Sequence, residues 1–191
     1  MQSIAVDFSN IHQAGNAWNE YWQLRKDEFV DKKGWELPHT DTLEFDWYDR
    51  PGAQWIIVME DGHCVGGSRL LRTDAPSYGQ ESYMLKDAQD GLISGIPVEM
   101  IPADLPRDHR IYEATRFFVR RDLSPKKAMK VQREIVCKTA TTARSLGGEQ
   151  LVALMPCKIY RIFRRFGFEV VEHDVIADID GIPHTVGWLK L

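Results

Sequence analysis

The sequence is poor in cysteine, has no long apolar run and does not cluster its histidines, and each shortage excludes something. Three cysteines in 191 residues (Cys64, Cys137, Cys157), odd in number and without paired spacing, exclude a disulfide scaffold and fit a reducing cytoplasm. The longest apolar stretches, such as WIIVM at 55–59, are strand-sized and fall well short of the ~20 residues of a membrane helix. The N-terminal MQSIAVDFSN has neither a basic region nor an apolar core, so no signal peptide is expected. Six histidines form no HExxH motif and no Cys/His cluster, so neither a metal site nor a prosthetic group is expected. Repeats and low-complexity tracts are also missing. What remains, 43% hydrophobic and 27% charged with six tryptophans, reads as one globular domain over 1–191.

The net charge of −4 is unevenly spread: Arg116 to Arg165 holds 13 Lys and Arg against 3 Asp and Glu. Such a basic half suits an anionic partner. An acidic carrier protein and the phosphates of coenzyme A both fit it, and so does an ordinary solvated helix face. Nucleic acid is not expected, because no nucleic-acid-binding motif accompanies the charge; nor is a membrane.

The chain alternates helix and strand signals. Residues 11–31 predict a helix with Trp18, Trp22, Arg25 and Phe29 on one face, where Arg25 reads as a snorkelling cation. The segment DKKGWELPHTDT predicts a loop holding Trp35. QWIIVME, the turn Asp61-Gly62 and CVGGSRLL predict a hairpin. Residues 74–110, rich in Gly, Pro and Asp, predict short helices and loops. Ser124-Pro125 starts a helix that ends near Leu146, before Gly147-Gly148. EQLVALM predicts a buried strand, KIYRIFRRFG a short helix, and FEVVEHDVIADID and IPHTVGWLKL two closing strands. The sum is an α/β fold, a single-domain three-layer α-β-α sandwich around a mixed β-sheet.

One stretch resists this pattern. IYEATRFFVRRD, 111–122, has strand composition, yet Glu113 and Arg116 sit inside it three residues apart. In a flat strand they would point to opposite faces. Either a bulge near Ala114-Thr115 turns both toward one site, or each charge has its own partner. Arg25, Asp46, Asp49, Arg69, Glu113 and Arg116 all have apolar or aromatic neighbours in sequence. Three arginines and three carboxylates would neutralise one another if brought together. A buried ion network stabilises poorly compared with apolar packing, so it points to a role, although a purely structural network stays open.

Arg25, Phe29 and Trp35, Asp46 and Asp49 in FDWYDRPG, Arg69 in GGSRLL, and Glu113 and Arg116 in YEATRFFV resemble, in order and spacing, the signature of the acyl-homoserine-lactone synthases of bacterial quorum sensing. The resemblance runs through RIFRRFGFEV, essentially the whole chain. It implies a twisted mixed sheet with a V-shaped cleft, similar to the Gcn5-related (GNAT) acyltransferases. It also implies S-adenosylmethionine as co-substrate, with acyl-carrier protein or acyl-CoA as acyl donor.

On that resemblance Glu113, Arg116 and Asp46 are the expected catalytic residues, with Glu113 as base. Arg25, Phe29, Trp35, Asp46, Asp49, Arg69 and Arg116 are expected to bind S-adenosylmethionine. Thr115, Phe117, Ala153, Met155, Ile159 and Phe163 are expected around the acyl chain. Ala153 stands where the family's 3-oxo-selective members carry threonine, which argues against 3-oxo selectivity. The competing readings are a GNAT N-acyltransferase acting on another amine and a non-catalytic carrier-binding relic. RRDLSPKKA lacks the glycines of a GNAT pyrophosphate loop, and none of the charged set is missing.

Overall fold

The computed structural model describes residues 1–75 and 82–191. Part of the stretch read as short helices and loops, 76–81, therefore lies outside the described residues. In chain order the elements are β1 (Gln2–Val6), α1 (Asn16–Arg25), β2 (Gln54–Glu60), β3 (His63–Arg72), α2 (Met84–Gln89), β4 (Ile111–Val119), α3 (Pro125–Ser145), β5 (Gln150–Pro156), α4 (Cys157–Arg165), β6 (Val170–Glu172), β7 (Ala177–Ile179) and β8 (Ile182–Lys190). The chain packs as two compact units, Met1–Leu70 with Arg116–Thr142, and Leu71–Thr115 with Ala143–Leu191.

In the first unit β1, β2 and β3 form an antiparallel set, with Val6 opposite Trp55 and Trp55 opposite Arg69. The expected hairpin is present. Asp61 and Gly62 have φ of 52° and 82°, the left-handed pair that a two-residue primed turn requires. Against this set lies α1, whose Trp18 and Trp22 meet the buried Trp55 edge-on at 5.2 and 5.8 Å. On α3, Val131 and Ile135 are one turn apart and pack on Val58 and Val65, with Phe117 and Leu123 at the margin. The opposite face of α3 exposes Lys126, Lys130, Arg133 and Arg144.

The helix read over 11–31 is three pieces. A 3₁₀ turn, Ile11–Ala14, stops at Gly15, whose φ of 53° breaks the helix. Then α1 begins, and from Lys26 to Lys32 it widens into a π-helical segment. Gly34 closes it in the left-handed conformation at φ 68°, where a side chain would be strained. Its N–H reaches Val30 O at 2.9 Å, and the N–H of Trp35 reaches Phe29 O at 3.0 Å. That fold-back stacks Trp35 on Phe29, with ring centroids 5.4 Å apart and planes inclined by 22°.

In the second unit β4 runs parallel to β5, but their ladder covers only Ile111–Glu113 against Gln150–Val152. On its other side β5 pairs along its whole length, Gln150–Pro156, with the antiparallel β8, and Ala153 lies opposite Gly187. FEVVEHDVIADID is not one strand. It gives β6 and β7, both paired to β8. Between them the buried Thr185 hydroxyl donates toward His173 O at 3.0 Å and Val175 O at 2.8 Å, pinning the connection. Ala88, Met100 and Ile101 form a separate core with Leu154 and Ile179 at its edge. The mixed α/β class is thus as the sequence implied. Among the described residues no helix is long and apolar enough to cross a membrane.

Gly67 allows β2, β3 and α1 to approach closely. A Cβ there would lie 2.4 Å from Ile56 O and 2.6 Å from the Tyr21 ring. The first of these is backbone and cannot rotate away. Gly67→Ala is expected to lower stability by ~1–3 kcal/mol through overpacking, read as a lower urea midpoint; an unchanged midpoint would contradict this packing.

Candidate active site

The arginine in the aromatic stripe is fully buried and does not snorkel. Its guanidinium lies 4.7 Å from the Trp22 ring centroid, and each of its three nitrogens donates to a carboxylate. Arg25 Nε donates to Glu44 Oε2 at 2.6 Å, and Nη1 and Nη2 donate to the two oxygens of Asp49 at 2.9 and 2.8 Å. The fork matches the planar carboxylate, the geometry that gives an Arg–carboxylate pair its strength.

From these two carboxylates the pairing continues and closes on itself. Asp49 Oδ1 is 3.0 Å from Arg69 Nη1, which also donates to Asp46 Oδ1 at 2.5 Å. Asp46 Oδ2 is 2.7 Å from Arg116 Nη2, and Arg116 returns to Glu44 Oε1 at 3.2 Å. The result is a ring of six alternating charges, Arg25, Glu44, Arg116, Asp46, Arg69 and Asp49, which is neutral overall. Trp55 Nε1 donates to Asp49 Oδ1 at 2.9 Å, and the Asp46 and Tyr48 N–H groups donate to Asp49 and Asp46.

Burial alone would raise the Asp46 pKa, but Arg69 and then Arg116 outweigh it, so this carboxyl titrates below its ordinary range. Burial opposes ionisation of Asp49 too. Arg69, Arg25 and the hydrogen bonds from Arg25 and Trp55 overcome it and hold Asp49 far below the usual carboxylate range. Burial favours neutral Arg25 and Arg69, yet the carboxylates beside them raise both pKa values further. Every member named here stays charged.

Glu113 was expected as the third carboxylate of this set; in the structure Glu44 takes that place. The Glu113 carboxylate accepts the N–H groups of Met84 at 3.0 Å and Leu85 at 2.8 Å, at the start of α2. It is 1% exposed. The spacing left open a bulge near Ala114-Thr115 or a separate partner for each charge, and the backbone does depart from a regular strand nearby. The departure falls on Arg116 itself, one residue beyond the expected place, with φ at 54°. Sequence reasoning missed Glu44, because nothing in LEFDWYD marks it as inward while its large aromatic neighbours Phe45 and Trp47 are the expected core candidates. They are instead 46% and 71% exposed, and Glu44 is 0% exposed.

Phe29 and Trp35 are brought together, and the Arg116 guanidinium lies 5.3 Å from the Phe29 centroid. Of the residues expected around an acyl chain, Phe117 packs at the margin of the α3 core. Thr115, Ala153, Met155 and Phe163 are buried, while Ile159 is half-buried. The Ala153 carbonyl accepts the Tyr160 hydroxyl at 2.6 Å. Among the described residues no group of three or more His, Cys, Asp or Glu is arranged for a metal ion.

The sequence profile described as autoinducer synthase matches residues 9–176. An acyl-homoserine-lactone synthase of Acinetobacter nosocomialis is 28% identical over 188 residues, 94% of either chain. One from Aeromonas salmonicida is 27% identical over 164 residues, covering 83% of this chain and 72% of its own. The crystal structure of TofI in a ternary complex with an inhibitor and MTA superposes with a TM-score of 0.75 at 26% identity, covering 100% of this chain and 91% of TofI.

The ring makes two predictions. Asp46 and Asp49 have folded-state pKa values below their unfolded values, so their contribution is complete above about pH 4, the unfolded Asp pKa, and is lost as pH falls through the folded values. Near-ultraviolet circular dichroism is expected to hold from neutral pH to about pH 5 and to collapse only in stronger acid; a midpoint above that would show that the ring does not govern acid stability. Glu44→Gln removes one charge between two guanidiniums and is expected to cost ~3–5 kcal/mol of stability, measured by urea denaturation.

Proposed function

The chain belongs to the autoinducer synthase family, and from that membership we propose the reaction its buried charges serve. It is an acyltransferase, an acyl-homoserine-lactone synthase that uses S-adenosylmethionine and an acyl thioester. The amine of S-adenosylmethionine attacks the thioester carbonyl, a C–N bond forms, and the thiol of the carrier protein or coenzyme A leaves. The methionine carboxylate then attacks its own γ-carbon, the C–S bond to sulfur breaks, and methylthioadenosine departs as a neutral thioether. One proton is released in amide formation, and a base must accept it.

The observation that carries this reading is the closed ring. S-adenosylmethionine brings an ammonium and a carboxylate on one carbon, and a buried ring of alternating sign offers each an opposite charge without adding net charge to the site. We assign Arg25, Asp46, Asp49, Arg69 and Arg116, together with Glu44, to holding that zwitterion. A carboxylate clamped between guanidiniums is a weak base, so Asp46 acts by charge and position. Glu113 takes the proton, directly or through a water. Phe29 and Trp35 face the sulfonium end.

Thr115, Phe117, Ala153, Met155, Ile159 and Phe163 line the acyl chain in this proposal, and Ala153, having no hydroxyl, gives no 3-oxo preference. The unbridged Cys64, Cys137 and Cys157 suit the cytoplasm, where both substrates are made.

The test incubates purified protein with S-adenosylmethionine and a panel of acyl-carrier and acyl-CoA thioesters and reads products by mass spectrometry. Methylthioadenosine with one dominant, unsubstituted or branched lactone is expected; folded protein that forms none with any thioester would refute the proposal. Glu113→Gln is expected to lower turnover ~10²–10⁴-fold with circular dichroism unchanged. An unaltered rate would remove Glu113 from the role of base.

A further inference from the structure

The π-helical segment that carries Phe29 also delivers a cation to it. Lys33, just beyond its last turn, places its ammonium 4.9 Å from the Phe29 ring centroid and 4.5 Å from that of Trp35. One charge thus sits on both members of the stacked pair. Lys33 is only 27% exposed, and it has a second anchor, the Glu28 carboxylate, 4.0 Å from its Nζ. Glu28 is already a meeting point for cations: Lys32 lies 3.4 Å away and Arg121 lies 3.2 Å away. Arg121 also donates to the carbonyl of Asp27, so Glu28 is held from two sides. The ammonium therefore has two electrostatic resting places on one short segment, an aromatic face and a carboxylate.

A sulfonium is a cation with no N–H or O–H to donate, so ring faces are among the few protein groups that attract it specifically. Two cations cannot share one aromatic pair at ~5 Å without repulsion. Resting on the assignment of Phe29 and Trp35 to the sulfonium end, we infer that Lys33 is a built-in competitor for that cation. Its ammonium covers the aromatic pair in the unliganded protein, and the substrate sulfonium displaces it toward Glu28. When the C–S bond breaks, the sulfur becomes a neutral thioether and no longer opposes the ammonium. Lys33 then returns to the rings beside the neutral product, which it does not repel. Lys33 is in this way a specificity residue: it penalises a charged sulfur and spares a neutral one.

The test compares the unaltered protein with Lys33→Met, Lys33→Arg and Trp35→Leu, each checked for folding by circular dichroism. The readouts are KM for S-adenosylmethionine and Ki for methylthioadenosine. Removing the ammonium relieves repulsion only for the sulfonium, so Lys33→Met is expected to lower the ratio of KM to Ki about two- to fivefold, the equivalent of ~0.5–1 kcal/mol. Lys33→Arg keeps the charge and keeps the ratio. An unchanged or higher ratio in Lys33→Met overturns the inference. If Trp35→Leu raises KM while Lys33→Met leaves the ratio unmoved, the lysine's role alone fails. If Trp35→Leu alters neither constant, the sulfonium site itself is misplaced and the inference falls with it.

Discussion

Six charges can be buried together here because each stands between two of opposite sign. A lone guanidinium or carboxylate at these positions would lose several kcal/mol of hydration with nothing in return. The closed ring answers that loss twice at every member. It also ties together four separate stretches of chain: Arg25 from the end of α1, Glu44 to Asp49 from the following turn, Arg69 from β3 and Arg116 from β4. Opening any link leaves two charges half-paired in a dry interior. The packing of the first unit therefore depends on a polar constraint as much as on Trp55 and the α3 core.

The backbone adjusts to the ring at some expense. Arg116, inside a strand, adopts φ of 54°, a conformation that disfavours a non-glycine residue by ~1–2 kcal/mol. Two short ion pairs at its guanidinium hold it there. The turn from Glu44 to Asp49 runs inside out, with carboxylates inward and Phe45 and Trp47 toward solvent. Its own N–H groups are turned onto the inward carboxylates, so the turn is organised around the charges it delivers.

Local signals made much of the fold legible. The Asp61-Gly62 hairpin, the Pro125 start of α3 and the glycines behind it each depend on a few neighbouring residues, and they stand as read. The π-helical widening at Lys26–Lys32 did not announce itself, because Trp18, Trp22, Arg25 and Phe29 satisfy an ordinary helical stripe equally well. Five of the six ring members were legible as charges among apolar neighbours. Glu44 was not, because its aromatic neighbours Phe45 and Trp47 are the expected core candidates. Charge balance could not find it either, because Glu113 already completed three arginines with three carboxylates; only its shared parity with the inward Asp46 pointed to it. The attachment of Glu113 to the start of α2 has no sign in the sequence.

A ring of this kind is a poor way to stabilise a protein, since apolar side chains of similar volume often do as well or better. Its value lies in what it presents. Because Asp46 and Asp49 both titrate below their ordinary range, they stay ionised and are poor proton acceptors. In the proposed reaction, binding and proton transfer therefore fall to different carboxylates. Glu113 accepts hydrogen bonds from the backbone N–H groups of Met84 and Leu85. In the proposed reaction the charges that let the ring survive burial hold the substrate, and Glu113 serves as the base.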